Sequence, residues 1–203
     1  MATQEERRRE TRRKLIATAR RIFAERGYAE TSTAAILEQS GVSRGAMYHH
    51  YPSKMDLFAD VYEAVSKDSL RRAVAGRAGS GSPLAELVDA CLAWLREARE
   101  PEVVRIVLEL GPSVLGLERA REIEARHSLR GVEASLRRAH DAGEVRLTSP
   151  GATARLLNAM LAEAAHLSVS PDGLDDATIE ASVREWIEAL AVPVETAGED
   201  PHG

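Results

Sequence analysis

The sequence predicts an all-α fold of about nine helices. Apolar residues recur at intervals of three and four through most of the chain, and glycine, proline and serine fall where such runs stop. No stretch shows the alternating, β-branched pattern of a strand. A chain of 203 residues, 44% of them hydrophobic, has the size and apolar content for one large domain or two small ones sharing a core.

In the first helix Leu15, Ile16, Ala19, Ile22 and Phe23 make one stripe and Gly27 supplies the stop, which places it from about Glu6 to Arg26. Thr31 to Thr33 offer hydroxyl caps to a short second helix containing Ala35, Ile36 and Glu38, and Gly41 ends it in the left-handed conformation open to glycine. Ser43 caps a third short helix carrying Arg44 to His49. Pro52 and Ser53 break the chain before Leu57, Phe58, Val61, Tyr62 and Val65, the apolar face of a longer helix. Gly76 to Pro83, rich in glycine and serine, reads as a flexible loop.

Only helices are expected beyond it. They run over Leu84 to Ala98, over Pro101 to Leu110 with Gly111 and Pro112 as the stop, and over Leu117 to Ala142 with Gly143 as the stop. Two more start at Ser149 and Pro150, reaching Ser168, and at Asp176, reaching Ala191. The division that follows is an N-terminal unit of short helices over 1–52, a longer helical unit over 53–192 and a flexible tail over 193–203.

The net charge of −5 is unevenly spread. Residues 1–55 hold 11 Lys or Arg against 6 Asp or Glu, a balance of +5, which leaves −10 for the remainder. A basic N-terminal module that meets a polyanion and an acidic remainder repelled from it fit this asymmetry. The one cysteine, Cys91, cannot form an internal disulfide, and no basic start leads into an apolar signal stretch, so a cytoplasmic setting is expected. Charges or glycines interrupt every apolar segment short of the length a membrane helix needs, so no membrane contact is expected.

Two short helices joined by a tight turn at Gly41 match a helix-turn-helix, whose second helix lies in the major groove of DNA with its first residues at base edges. Arg44 stands in the first turn of that helix, where a guanidinium can pair with O6 and N7 of guanine. Thr33, Tyr48, His50 and Lys54 are placed to hold phosphates. The Arg and Lys residues of the first helix can add backbone or minor-groove contacts.

The run from Thr31 to Leu57 resembles the N-terminal signature of the TetR family of bacterial repressors. The likeness lies in the Gly41-Val42-Ser43 turn, in Ala46-Met47-Tyr48, in His50 before an aromatic, and in Lys54 ahead of an apolar helix. The stretch from Ala19 to Gly27 with Tyr28 is similar to the family's first helix, so the resemblance covers the first 65 residues. It implies that Thr33, Tyr48, His50 and Lys54 contact phosphates and that Arg44, Ala46 and His49 face bases or nearby backbone, with Ser43 at the turn. Leu37 and Ser40 stand where alanines are usual and Tyr51 where phenylalanine is usual. Ala34 has no group able to bond a base edge, which concentrates readout on Arg44 and its neighbours.

Other chemistries fit poorly. Gly41-Val42-Ser43-Arg44-Gly45 spells the G-x-S-x-G of a hydrolase nucleophile elbow, but an elbow needs a strand before the serine and a helical segment stands there. None of the six histidines pairs with another at the four-residue spacing that sets two imidazoles on one helix face, and no metal or cofactor is expected. Cys91 among Leu87, Val88, Leu92 and Leu95 reads as a small core residue.

For the acidic remainder the resemblance implies dimerisation and sensing. Leu156, Leu157, Met160, Ala164 and Leu167 form one stripe, and Ile179, Val183, Trp186, Ile187 and Leu190 another. In TetR-like proteins the last two helices of each subunit build a four-helix dimer interface, and these stripes are expected to form it. Leu87, Cys91, Trp94, Val104, Val107, Leu108 and Leu115 are the expected lining of a pocket for a small hydrophobic effector, with Gly111 to Gly116 as a mobile break. Regulation by a protein partner or by abundance, without a ligand, is the alternative. The partners expected are thus double-stranded operator DNA, a second copy of the chain and an apolar small molecule.

Overall fold

The structure, a computed structural model, describes residues 3–75, 81–170 and 173–192. Among the described residues the fold is all-α, and the one strand-like feature is an isolated antiparallel bridge between Val145 and Ala191. The expected loop over Gly76 to Pro83 lies largely outside the described residues, and the expected tail over 193–203 lies wholly outside them. Packing divides the chain into two compact units, Met1–Gly76 with Arg96–Ser128 and Arg77–Leu95 with Leu129–Gly203.

The first unit opens with α1 (Gln4–Arg26), two residues earlier than expected, because Thr3 and Glu6 form a reciprocal capping box. Glu6 N donates to Thr3 Oγ1 at 3.2 Å and Thr3 N to Glu6 Oε2 at 2.6 Å, satisfying two orphan donors of the first turn. Gly27, at φ 78°, ends it as expected. The helices α2 (Thr33–Ser40), α3 (Arg44–His50) and α4 (Lys54–Ala75) follow. Leu15, Ala19, Ile22 and Phe23 of α1 are buried with Ile36, Met47, Leu57, Phe58, Val61, Tyr62 and Val65. At their centre Phe23 meets Tyr28 and Phe58 with ring centroids 5.6 and 5.2 Å apart. Burying each such side chain contributes about 1.5–3 kcal/mol, which is what holds helices as short as α2 and α3 in place.

Helix α6 spans residues 101–115 and departs from the sequence reading. Gly111 and Pro112 do not stop it; they continue it, and Gly116, at φ 78°, is the stop. Val104–Leu110 is π-helical and Gly111–Leu115 returns to α-helix, so Pro112 enters in a first turn, where a missing N–H costs least. Gly111 is needed for space, since a Cβ there would stand 2.9 Å from Tyr62 Cδ2 and closer still to Cε2. The expected mobile break over Gly111 to Gly116 is therefore five residues of packed helix and one glycine stop. Helix α7, residues 117–141, matches the expected span but contains a π-helical stretch at Ala125–Leu129. Apolar spacing alone does not register the one-residue slip that a π turn inserts.

The second unit is built from α5 (Pro83–Ala98), the later part of α7, α8 (Pro150–Val169) and α9 (Asp176–Glu188). Ser149 Oγ accepts from Ala152 N at 3.2 Å and Asp175 Oδ1 from Thr178 N at 3.0 Å, capping α8 and α9. Glu144 ties two segments together, its carboxylate accepting from Leu84 N at 2.7 Å and its carbonyl from Val192 N at 2.8 Å. Cys91 is buried with Leu87, Val88, Leu92 and Leu95, as its neighbours predict.

The two C-terminal stripes split. Leu157 and Ala164 of α8, and Ile179, Val183 and Ile187 of α9, are buried within the chain itself, so these five side chains serve its own core. Leu156 and Trp186 are 73% and 71% exposed, Leu167 is exposed, and Met160 and Leu190 are half-buried. Contiguous stripes wider than one contact face hid this division, because a helix packed on its neighbour uses only part of such a stripe.

Candidate nucleic-acid interface

The segment from Thr31 to Tyr51 is assembled by local chemistry. Ser32, rather than Thr31 or Thr33, caps α2, its Oγ accepting from Ala35 N at 3.1 Å. Thr31 turns inward and donates to Gly27 O at 2.6 Å, and Thr33 begins the helix half-buried. Gly41 stands at φ 66°, where a side chain would be strained, and its N–H bonds Leu37 O at 3.0 Å. Ser43 Oγ accepts from Ala46 N at 3.3 Å and so caps α3, an arrangement in which Ser→Ala changes typically cost about 1 kcal/mol.

On α3 only Met47 is buried. Ser43, Arg44, Tyr48 and His49 are exposed, while Ala46 and His50 are half-buried. Arg44 and Tyr48, one turn apart, share a face, with the guanidinium 5.6 Å from the ring centroid. A planar donor fork held against an aromatic ring is pre-organised for two parallel hydrogen bonds. His49 and His50 rings are 5.7 Å apart, edge to face.

Lys54 sits differently from the expectation of a phosphate contact. Its ammonium donates to Tyr28 O and Thr31 O, both at 2.9 Å, and lies 4.1 Å from the Tyr28 ring centroid. It fastens the turn between α1 and α2 to the start of α4. A single sequence does not distinguish an inward lysine from an outward one, since the carbonyls it meets lie more than twenty residues away.

Further contacts brace the segment and were not readable from spacing. Arg21 of α1 hydrogen-bonds Gln39 of α2 and pairs with Glu25 at 3.2 Å. Arg12 of α1 donates to Asp60 Oδ2 from Nε at 3.0 Å and Nη2 at 2.8 Å, and Tyr51 Oη donates to the same oxygen at 2.7 Å. Burial raises the Tyr51 phenol's pKa and the Asp60 hydrogen bond raises it further, so the hydroxyl keeps its proton and remains a donor.

Burial pulls the His50 imidazole below its ordinary pKa, and Arg8, His49 and Arg12 add to the shift. His50 is thus neutral at pH 7 in the DNA-free chain. A phosphate beside it would favour the imidazolium and raise that pKa, so binding there would take up a proton in the window between the free and bound values. Duplex affinity is expected to rise as the pH falls through that window, and His50→Gln to flatten the rise; fluorescence-anisotropy titrations from pH 8 to 5.5 check it. A wild-type profile identical to that of His50→Gln would remove His50 from the phosphate contacts.

The expected effector-lining residues fall in different units. Leu87, Cys91 and Trp94 lie on α5 in the second unit, with Trp94 half-buried, and Val104, Val107, Leu108 and Leu115 lie on α6 in the first. Val107 and Leu108 are buried, and Val104 and Leu115 are half-buried. Among the described residues no group of three or more His, Cys, Asp or Glu gathers to hold a metal, and no helix is long and apolar enough to cross a membrane.

Comparison with known proteins places both parts of the chain. Residues 15–61 match the family of bacterial regulatory proteins of the tetR type, and residues 84–192 match the tetracyclin repressor-like C-terminal domain. The HTH-type transcriptional regulator CymR of Pseudomonas putida is 43% identical over 74 residues, covering 34% of this chain and 36% of that protein. The HTH-type transcriptional regulator AcrR of Shigella flexneri is 41% identical over 54 residues, covering 27% of this chain and 25% of that protein. The match thus spans 36% or less of the length of these curated regulators. The crystal structure of a TetR-family transcriptional regulator from Pectobacterium atrosepticum aligns over 95% of this chain and 99% of its own, with 32% identity and a TM-score of 0.74.

Proposed function

Because the chain belongs to the TetR family of bacterial helix-turn-helix transcriptional regulators, we propose that it is a cytoplasmic repressor that grips a palindromic operator as a homodimer and lets go when a small apolar molecule binds. It is a DNA-binding regulator and not an enzyme. The observation that carries the proposal is the face of α3, where Arg44, Tyr48 and His49 are exposed while Met47 is buried. Arg44 reads a base, and Thr33, Tyr48 and His50 hold phosphates. Ser43 acts through its cap, Ala46 lets the DNA approach the helix, and Lys54 supports the turn.

Support for a homodimer comes from Leu156, Leu167 and Trp186, large apolar side chains left in water, together with half-buried Met160 and Leu190. Two copies joined through α8 and α9 and seated on one palindrome would each place a recognition helix at a half-site, one DNA turn apart, about 34–36 Å. An effector that favours another subunit arrangement lowers DNA affinity by its differential affinity for the two states. The expected lining residues Val104, Val107, Leu108 and Leu115 are themselves apolar, which is the ground for an apolar ligand.

The test is Arg44→Ala, measured on a duplex recovered with this chain from a random pool. Discrimination at one base pair is expected to relax by about 1–3 kcal/mol while affinity for scrambled DNA changes little. Even loss of affinity across all sequences would make Arg44 a phosphate contact instead.

A further inference from the structure

The recognition helix is seven residues long and cannot hold its own orientation. Two side chains of the run Arg44 to Tyr51 are buried, Met47 and Tyr51, so the direction in which Arg44 points is set by how these two are held. Met47 is held by apolar contact, which resists displacement but permits rotation. Tyr51 is held by a directed bond, its hydroxyl donating to Asp60 Oδ2 at 2.7 Å. The same oxygen takes two donors of the Arg12 guanidinium, at 3.0 and 2.8 Å. Three donors thus converge on one carboxylate oxygen, from α1, from the C-cap of α3 and onto α4.

Asp60 is itself fixed. Eight residues further along both helices Arg20 Nη1 donates to Asp68 Oδ2 at 2.6 Å, so Arg12 with Asp60 and Arg20 with Asp68 share one register between α1 and α4. Eight helical residues span about 12 Å, and two rungs that far apart oppose both sliding and rotation of one helix against the other. Arg20 also forks onto Glu102, Nε to Oε1 at 2.6 Å and Nη2 to Oε2 at 2.5 Å, which leaves the second rung little freedom.

We propose that Asp60, held by Arg12, is a positioning residue for DNA recognition: through the Tyr51 hydroxyl it sets the orientation of α3, and so decides selectivity rather than general grip. The inference rests on the DNA-reading role of α3. Base-edge hydrogen bonds tolerate far less displacement than phosphate contacts, which accept a charge from many directions. Loosening the anchor must therefore damage selective binding first.

The experiment compares binding of a duplex selected by the wild-type chain with that of a scrambled duplex of equal length, for Tyr51→Phe, Asp60→Asn and the double variant. Tyr51→Phe removes one oxygen and keeps the ring in the core. It is expected to weaken the selected duplex about tenfold and the scrambled one less than twofold, with an unchanged salt slope. Asp60→Asn also frees the Arg12 cation, so selectivity falls similarly while scrambled DNA binds as well or better. The double variant should be no less selective than Asp60→Asn alone, because both remove one interaction.

Parallel loss on both duplexes, or no change in their ratio, would overturn the positioning role and leave the DNA reading standing. A wild-type chain that does not tell the two duplexes apart would overturn both. If Asp60→Asn does not fold, the ratio for Tyr51→Phe decides alone.

Discussion

Leu156→Asp combined with Trp186→Asp is expected to turn a dimer into a folded monomer and to weaken binding to a palindromic duplex by about a hundredfold or more. The two side chains are 73% and 71% exposed, so carboxylates in their place disturb nothing inside the chain. In a dimer they would bring like charges into an apolar, desolvated contact, where an unpaired carboxylate costs several kcal/mol. Loss of the dimer makes each half-site a separate binding event, and the effective concentration supplied by the first half-site is lost. Sedimentation at micromolar concentration with circular dichroism checks both parts. Leu157→Asp provides the contrast: at 6% exposure Leu157 belongs to the chain's own core, and the variant is expected to unfold rather than dissociate. A double variant that stays dimeric would move the interface away from α8 and α9.

Gly111→Ala is expected to lower stability by about 3 kcal/mol, through one methyl group placed against the Tyr62 ring. Tyr62 is fully buried and its hydroxyl is hydrogen-bonded to Glu124, so the ring cannot swing aside without breaking that bond. Burial raises the Tyr62 pKa, and the neighbouring Glu124 charge adds to the shift, so the phenol stays protonated and keeps donating. For a chain of this size the loss corresponds to a fall in Tm of about 6–12 °C. Tyr62→Leu in the same background makes room for the methyl group, so the pair should cost less than the sum of the single changes. An additive pair, or a neutral Gly111→Ala, would contradict the packing described for α6.

Most of the helices were readable from the sequence because their ends carry chemistry as well as periodicity. Gly27, Gly41 and Gly143 take positive φ, Ser43 and Ser149 cap, and the stripes of α1, Ile16 excepted, and of α4 fall in the core. Local rules yield where packing overrides them. Gly111-Pro112 has the composition of a stop, yet a buried tyrosine and a preceding π-helical stretch make that pair a continuation. The exposed face of α3 was readable because its residue types and spacing are local. The braces were not: Arg12 and Asp60 lie 48 residues apart, and Lys54 meets carbonyls 26 and 23 residues away. Nor did the stripes of α8 and α9 reveal which of their residues face the chain's own core, since inward and outward apolar positions share one periodicity.

The most direct test of a dimeric reader built on α3 is selection of bound duplexes from a random pool by the full chain. The account predicts enrichment of a palindrome whose half-site centres lie one helical turn apart, about 10 base pairs, with a base in each half whose preference is lost in Arg44→Ala. Enrichment of a single unrepeated site, or of no sequence at all, would contradict it.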